Sequence, residues 1–208
     1  MKNAKNKLGG RGRIVLGLTG PIASGKSLAL KCFIAEGACG LSADAVTAEL
    51  LTTPVIYHTI LRKFGSDKIL TNGLLDKKKL AAEVFGSPAK RKWLEGLLHP
   101  QILGRIHSLI TKSRKKIAVV EAPLLFEAGL AECFSFTVCL AAPDKILEAR
   151  ALSRGWSRAQ YRGRVKAQLP AAEKYDRADI VLENAGAPRE LAAKIKFICR
   201  FLEGTAKR

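Results

Sequence analysis

The stretch Arg13-Ile-Val-Leu-Gly-Leu-Thr-Gly20-Pro-Ile-Ala-Ser-Gly25-Lys26-Ser27 decides the fold. Its first half is a short apolar run rich in β-formers. It ends in Gly20-Pro21, and a helical pattern starts near Gly25. A buried strand, a tight turn and a helix therefore follow one another. The second half, Gly20 to Ser27, fits the phosphate-cradling pattern G-x-x-x-x-G-K-[ST] in full. The glycines let the backbone curl so that successive N–H groups face one point, and the following helix adds its positive N-terminal end. Lys26 then reaches the outer phosphates of a nucleotide, and the Ser27 hydroxyl is a Mg²⁺ ligand. Gly20, the backbone of Ile22, Ala23, Ser24, Gly25, Lys26 and Ser27, and the adjoining Leu28 form the candidate cofactor-binding set.

Outward from this loop, strand signals return at Ala38–Leu41, Ile117–Glu121, Phe134–Leu140 and Asp179–Leu182, and helical patterns fill the spaces between them. Strands that alternate with helices and are apolar on both faces predict a parallel sheet covered on both sides. Residues 54–116 read as almost wholly helical, with turns at Gly65–Asp67, Thr71–Gly73 and Gly86–Pro88 and a bend at His99-Pro100. Helices are expected from Pro143 to about Arg154, from about Ser157 to Gln168, and from Pro188 to Leu202. Residues 1–12 read as a flexible basic leader, dispensable for folding. The domain reading is one α/β domain over 13–208, with a helical acceptor-binding insertion at 54–116 and a lid region at 143–170.

Composition narrows the function. The chain has 208 residues, 48% of them hydrophobic, which suits one compact domain. No apolar run approaches the roughly 20 residues needed to cross a bilayer, and the first residues lack the apolar core of a signal peptide. The five cysteines form no CxxC pair, which fits reduced thiols and a cytoplasmic location. Lys and Arg number 36 against 18 Asp and Glu, a net charge of +18. That excess concentrates anions around the chain, but it recurs along the sequence instead of forming one basic arm. At 6% aromatic, the sequence lacks the stacking platform of single-stranded nucleic-acid binders. No N-K-x-D string for guanine is present, and the strand Ile117–Glu121 ends in one acid where motor ATPases carry two. Size and the helical insertion point to a small-molecule kinase, with a basic nucleic-acid-binding ATPase as the alternative.

Outside the loop, four further groups are candidates. Asp44 lies just past the second strand, at the carboxyl edge where open α/β sheets bind ligands. It is a candidate base for an attacking hydroxyl, or a helix N-cap with Ser42 as competitor. Glu121, at a strand end, is a candidate for the Mg²⁺ shell or a capping acid. Arg150 and Arg154 stand i, i+4 on one helix face, either closing on a transferred phosphoryl group or merely solvated. His99 lines an acceptor pocket or caps a helix end.

The chain also resembles the dephospho-CoA kinase family over roughly residues 14–203. The motifs are Gly17-Leu-Thr-Gly20 into the loop, Asp44, Phe64-Gly65, Gly73-Leu-Leu-Asp76-Lys77, His99-Pro100-Gln-Ile102, Pro123-Leu-Leu-Phe-Glu127, Arg150, Arg154, Gln168, Ala178-Asp179 and Asn184-x-Gly186. The resemblance implies a P-loop kinase three-layer sandwich with a five-stranded parallel sheet, a helical acceptor insertion and a helical lid. It implies phosphoryl transfer from MgATP to the ribose 3′-hydroxyl of dephospho-CoA. Lys26, Asp44, Arg150 and Arg154 would be catalytic, Asn184 would join the nucleotide site, and Lys77, His99 and Pro123 would join Asp44 on the acceptor. Ser27 and Glu121 would hold Mg²⁺. No membrane or nucleic-acid partner is expected, and the chain is expected to be a monomer or weak homo-oligomer. The sequence departs from the family at Pro21, Leu28, Ser42, Ala48 and Lys77, and Ser42 and Ala48 stand where acceptor contacts would be.

Overall fold

Five strands build the central sheet: β1 (Ile14–Thr19), β2 (Cys39–Ser42), β5 (Ile117–Glu121), β6 (Phe136–Ala141) and β7 (Ile180–Glu183). They pair in the order β2-β5-β1-β6-β7, and every pairing is parallel. β1 and β5 are buried along nearly their whole length, as a sheet covered on both faces requires. The chain leaves β1 toward β2 on one side, whereas β6 leads to β7 on the other. That reversal beside β1 opens a crevice at the carboxyl ends of the strands, and the phosphate loop lies there. The computed structural model describes residues 8–9 and 12–205.

Two helices cover one face of the sheet. In α1 (Lys26–Ala35), Ala29 and Phe33 point inward. In α10 (Pro188–Thr205), Leu191, Ile195, Ile198 and Leu202 form the buried stripe. They meet Leu16, Leu18, Val119, Val138 and Leu140 in one apolar cluster. Phe33 is fully buried, worth roughly 1.5–3 kcal/mol for a side chain of its size. α7 (Asp144–Leu152), α8 (Arg158–Lys166) and α9 (Ala171–Arg177) follow β6. Ser157 and Gln160 form a capping box at the start of α8. Leu147, Ala151 and Tyr161 form a second, smaller cluster with Ala142 and the loop residue Ala23. Asp179 clamps β7 to β6: its carboxylate accepts bonds from the Thr137 N–H and hydroxyl, both 2.8 Å. The Ala-Asp string of the sequence is thus a structural tie.

The chain divides into two compact units, Met1–Ser42 with Leu109–Arg208, and Ala43–Ser108. The second holds α2 (Ala43–Leu50), α3 (Pro54–Phe64), α4 (Ser66–Ile69), α5 (Lys77–Phe85) and most of α6 (Pro88–Ser113). A two-residue hairpin, β3 (Leu70–Thr71) with β4 (Leu74–Leu75), interrupts the helices. Asp76 caps α5, accepting from Lys78 N at 2.8 Å and from the Thr71 hydroxyl at 2.9 Å. These donors hold its carboxyl below the usual range. The Leu-Asp-Lys string therefore starts a helix.

The structure corrects two expectations. His99-Pro100 does not mark a helix boundary, because α6 runs through Pro100. The carbonyl facing the proline ring, four residues back, belongs to Gly96, whose backbone is the least restrained of any residue. The leader is not wholly solvated either. Leu8 is 2% exposed, while residues 1–7 and 10–11 lie outside the described set. Leu8→Ala is expected to cost about 2–4 kcal/mol in urea denaturation. An unchanged midpoint would return Leu8 to the solvated tail.

Candidate active site

The loop between β1 and α1 adopts a conformation that few residues tolerate. Gly20 has φ 143° and Gly25 φ 96°. A Cβ on Gly20 would stand 2.7 Å from the Leu140 carbonyl, and one on Gly25 would collide with the Asn184 amide. Ala23 carries a side chain at φ 62°, a left-handed geometry that costs about 1–2 kcal/mol. It is held because its methyl is built into the α7–α8 cluster. Strain of this kind persists only where the surroundings over-determine it.

Four bonds brace the loop. Ser24 N donates to the Pro21 carbonyl at 3.2 Å. Lys26 Nζ, 9% exposed, donates to the carbonyls of Gly20 at 3.0 Å and Pro21 at 2.9 Å. Asn184 Nδ2, from the end of β7, donates to the Ser24 carbonyl at 2.7 Å. Asn184, chosen from the sequence as a nucleotide contact, is a buried strut of the loop itself. Its own N–H is anchored on the Ala141 carbonyl at 2.7 Å.

On the other side of the loop, Ser27 Oγ donates to Glu121 Oε1 at 3.2 Å. Helix α1 supplies the serine and the last residue of β5 supplies the acid. Two oxygen donors at one sheet edge suit Mg²⁺, which binds through one or two protein oxygens and keeps waters. No group of three or more His, Cys, Asp or Glu that could hold a metal occurs among the described residues.

A cleft of about 250 Å³ opens beside the loop, lined by Gly25, Leu28, Arg150, Arg154 and Asn184, among others. Both arginines picked from the sequence therefore face the same space as the loop. Arg150 Nη1 is buried with no hydrogen-bond partner, and an unpaired buried charged donor is unstable unless an anion meets it. The neighbouring cations are engaged elsewhere. Arg158 pairs with Glu148 at 3.7 Å, and Arg164 stacks on Trp156 at 4.3 Å. Ser24 Oγ is a second buried polar atom without a partner. Cys139, on β6, has its thiol pushed up to about 11 by burial, so it stays protonated and is no nucleophile.

The structure brings Gly20, Ile22, Ala23, Ser24, Gly25, Lys26, Ser27, Leu28, Glu121, Pro123, Arg150, Arg154 and Asn184 together in the sheet unit. Asp44, Lys77 and His99 belong to the 43–108 unit. Asp44 is exposed in the first turn of α2. Lys77 is exposed at the first position of α5, and His99 is half-buried within α6. Sequence reasoning missed Lys174, which is fully buried. Its only signal is its position four residues after a proline, since buried and surface lysines look alike in sequence.

Comparison with known proteins agrees with this arrangement. The sequence model of the dephospho-CoA kinase family matches residues 14–190. A dephospho-CoA kinase of Anaeromyxobacter dehalogenans is 37% identical over 91% of this chain and 92% of its own. The crystal structure of TT1252 from Thermus thermophilus superposes with a TM-score of 0.81 at 31% identity, covering 91% of this chain and 98% of that one. The dephospho-CoA kinase of Campylobacter jejuni superposes with a TM-score of 0.66 at 25% identity, covering 92% and 98%. A phosphate loop on a five-stranded parallel sheet, matched in sequence along almost its whole length, places this chain in the dephospho-CoA kinase family.

Proposed function

We propose that the chain transfers the γ-phosphoryl group of MgATP to the ribose 3′-hydroxyl of dephospho-CoA in the cytoplasm, giving coenzyme A and ADP. The observation that carries the reading is a convergence at one sheet edge. Lys26 lies on the loop, the Ser27–Glu121 oxygen pair stands at 3.2 Å, and Arg150 Nη1 is buried without a partner. No helix among the described residues is long and apolar enough to cross a membrane.

Each residue has a physical role in this reading. The N–H groups of residues 22–27 and the start of α1 bind the triphosphate. The Lys26 bonds to two neutral carbonyls are of the kind that charged phosphate oxygens outcompete. Ser27 and Glu121 hold Mg²⁺, which when bound neutralises charge across the outer phosphates. Arg150 and Arg154 meet the equatorial oxygens as charge builds on them. Leu28 and Asn184 border the nucleotide cleft. Asp44 orients the acceptor hydroxyl and takes its proton, while Pro123, His99 and Lys77 contribute to acceptor binding. Ser42 and Ala48 weaken acceptor affinity without removing Asp44.

A coupled ADP-release assay tests the reading with dephospho-CoA, nucleoside monophosphates and RNA as alternative stimulants. Only dephospho-CoA should support turnover. Stimulation by RNA that falls steeply with salt would instead mark a nucleic-acid-dependent ATPase. Lys26→Ala should nearly abolish turnover in a protein that still folds, and near-normal turnover would remove the loop from the chemistry. Asp44→Asn keeps size and a capping oxygen. It should lower kcat by roughly 10²–10⁴-fold with ATP affinity little changed. Wild-type turnover in Asp44→Asn would assign the hydroxyl to another residue.

A further inference from the structure

Lys174 is the one fully buried lysine of the described residues, and the roles above do not use it. It stands on α9, and its ammonium makes two hydrogen bonds and one ion pair, on two segments. Nζ lies 2.9 Å from the Pro123 carbonyl, 3.2 Å from Gln168 Oε1 and 2.8 Å from Glu127 Oε1.

Each acceptor fixes a different piece of the site. The Pro123 carbonyl also accepts from the hydroxyl of Thr19 at 3.2 Å. Thr19 is fully buried and directly precedes Gly20 of the loop. Pro123 is two residues beyond Glu121, and Ala122 N between them donates to the Leu18 carbonyl at 2.9 Å. Glu127 Oε1 also accepts from Leu169 N at 3.0 Å. Gln168 and Leu169 are the exit of the α7–α8 segment that carries Arg150 and Arg154. One turn along α9, Arg177 donates to the Phe126 carbonyl at 3.4 Å and lies 5.0 Å over the Phe126 ring. The helix thus grips Pro123–Glu127 from one side while β1 holds it from the other.

Stability alone does not call for this arrangement. A buried ion pair gains little over well-packed apolar side chains of the same volume, because both charges must leave water. What the ammonium adds is direction. Two hydrogen bonds and an ion pair tie the strand-end segment with Glu121 and the helical segment with the two arginines to one point. Misplacement of catalytic groups by about 1 Å can cost 10²-fold in rate.

We infer that Lys174 is a positioning residue for phosphoryl transfer, setting the register between the Glu121–Pro123 segment and the arginine-bearing α7–α8 segment. The inference rests on the kinase reading above, so wild-type turnover with dephospho-CoA is the control. Absence of that turnover would defeat the kinase reading and leave this one unaddressed by kinetics alone, so the arginine segment is also followed by limited proteolysis at Arg158–Lys166.

The decisive pair is Lys174→Met and the double variant Lys174→Met with Glu127→Gln. The single variant strands a carboxylate and should melt earlier. The double variant removes both charges and should recover most of the melting temperature. Its kcat should nonetheless stay about 10–100-fold below wild type, with KM for ATP within about threefold, because the loop and Lys26 are untouched. Cleavage within α8 should be faster than in wild type. Recovery of kcat together with stability, or unchanged cleavage, would reduce Lys174 to a structural ion pair. Should the double variant not fold, Gln168→Met decides. It removes one acceptor, should keep the fold, and should lower kcat about threefold or more. Wild-type kcat in Gln168→Met would overturn the inference.

Discussion

A loop that presents its N–H groups to an anion cannot spend them on itself, and this constraint governs the sheet unit. Between Gly20 and Gly25 the chain makes one internal backbone bond, Ser24 N to the Pro21 carbonyl. The rest of its stability is supplied from outside. Asn184 reaches across from β7 to the Ser24 carbonyl, Gly20 presses against the Leu140 carbonyl, and the Ala23 methyl is packed by α7 and α8. The strand order follows from the same need. β6 lies beside β1 and β7 beside β6, so their ends deliver both the Leu140 carbonyl and Asn184 to the loop.

How far the sequence could be read depends on how local each feature is. The loop and its flanking strand and helix obey short-range rules, so the strand–turn–helix over Ile14–Ala35 was legible. Glu121 was legible as the acid that ends an apolar strand, but not its bond to Ser27, which joins residues far apart in sequence. The order β2-β5-β1-β6-β7 was not, since parallel pairing is decided by crossovers many residues long. Pro100 misled because propensity treats every interior proline as a break, whereas Gly96 and the packing of a 26-residue helix tolerate this one. Leu8 misled because the residues around it are basic or glycine, and one buried leucine leaves no periodic trace. Asn184 was placed at the nucleotide by motif; the structure shows it lining the cleft while its amide also braces Ser24 of the loop, a contact no motif announces.

The charge of +18 acquires a more specific sense in the structure. Among the described residues five salt bridges join Lys90, Arg105, Arg158, Lys174 and Arg177 to acids. With cations outnumbering acids two to one, one-to-one pairing leaves at least half of the positive charge in surplus. That surplus raises the local concentration of polyphosphate substrates and speeds their capture. The benefit is electrostatic and long-range, so it fades as the Debye length shrinks toward about 8 Å at physiological salt. Charge of this kind steers substrates without choosing among them; the choice falls to the few groups whose distances are fixed.

Lys26 and Lys174 show how the fold separates those two tasks. Both are buried lysines. Lys26 is bonded within the loop that receives the phosphates, to the carbonyls of residues five and six positions back. Its bonds are local, and its flexible stem can exchange carbonyls for phosphate oxygens without moving an element. Lys174 bonds residues 51 and 6 positions away, and a carboxylate besides. Releasing it would unfasten two segments at once. An arginine could not take its place, because the planar guanidinium fork directs its donors within one plane. The partners here are a strand-exit carbonyl, a loop glutamine and a glutamate, and a compact ammonium with donors splayed about its axis can bond the first two while pairing with the third. The fold therefore gives one lysine bonds local to its own loop and commits the other to joining two distant segments.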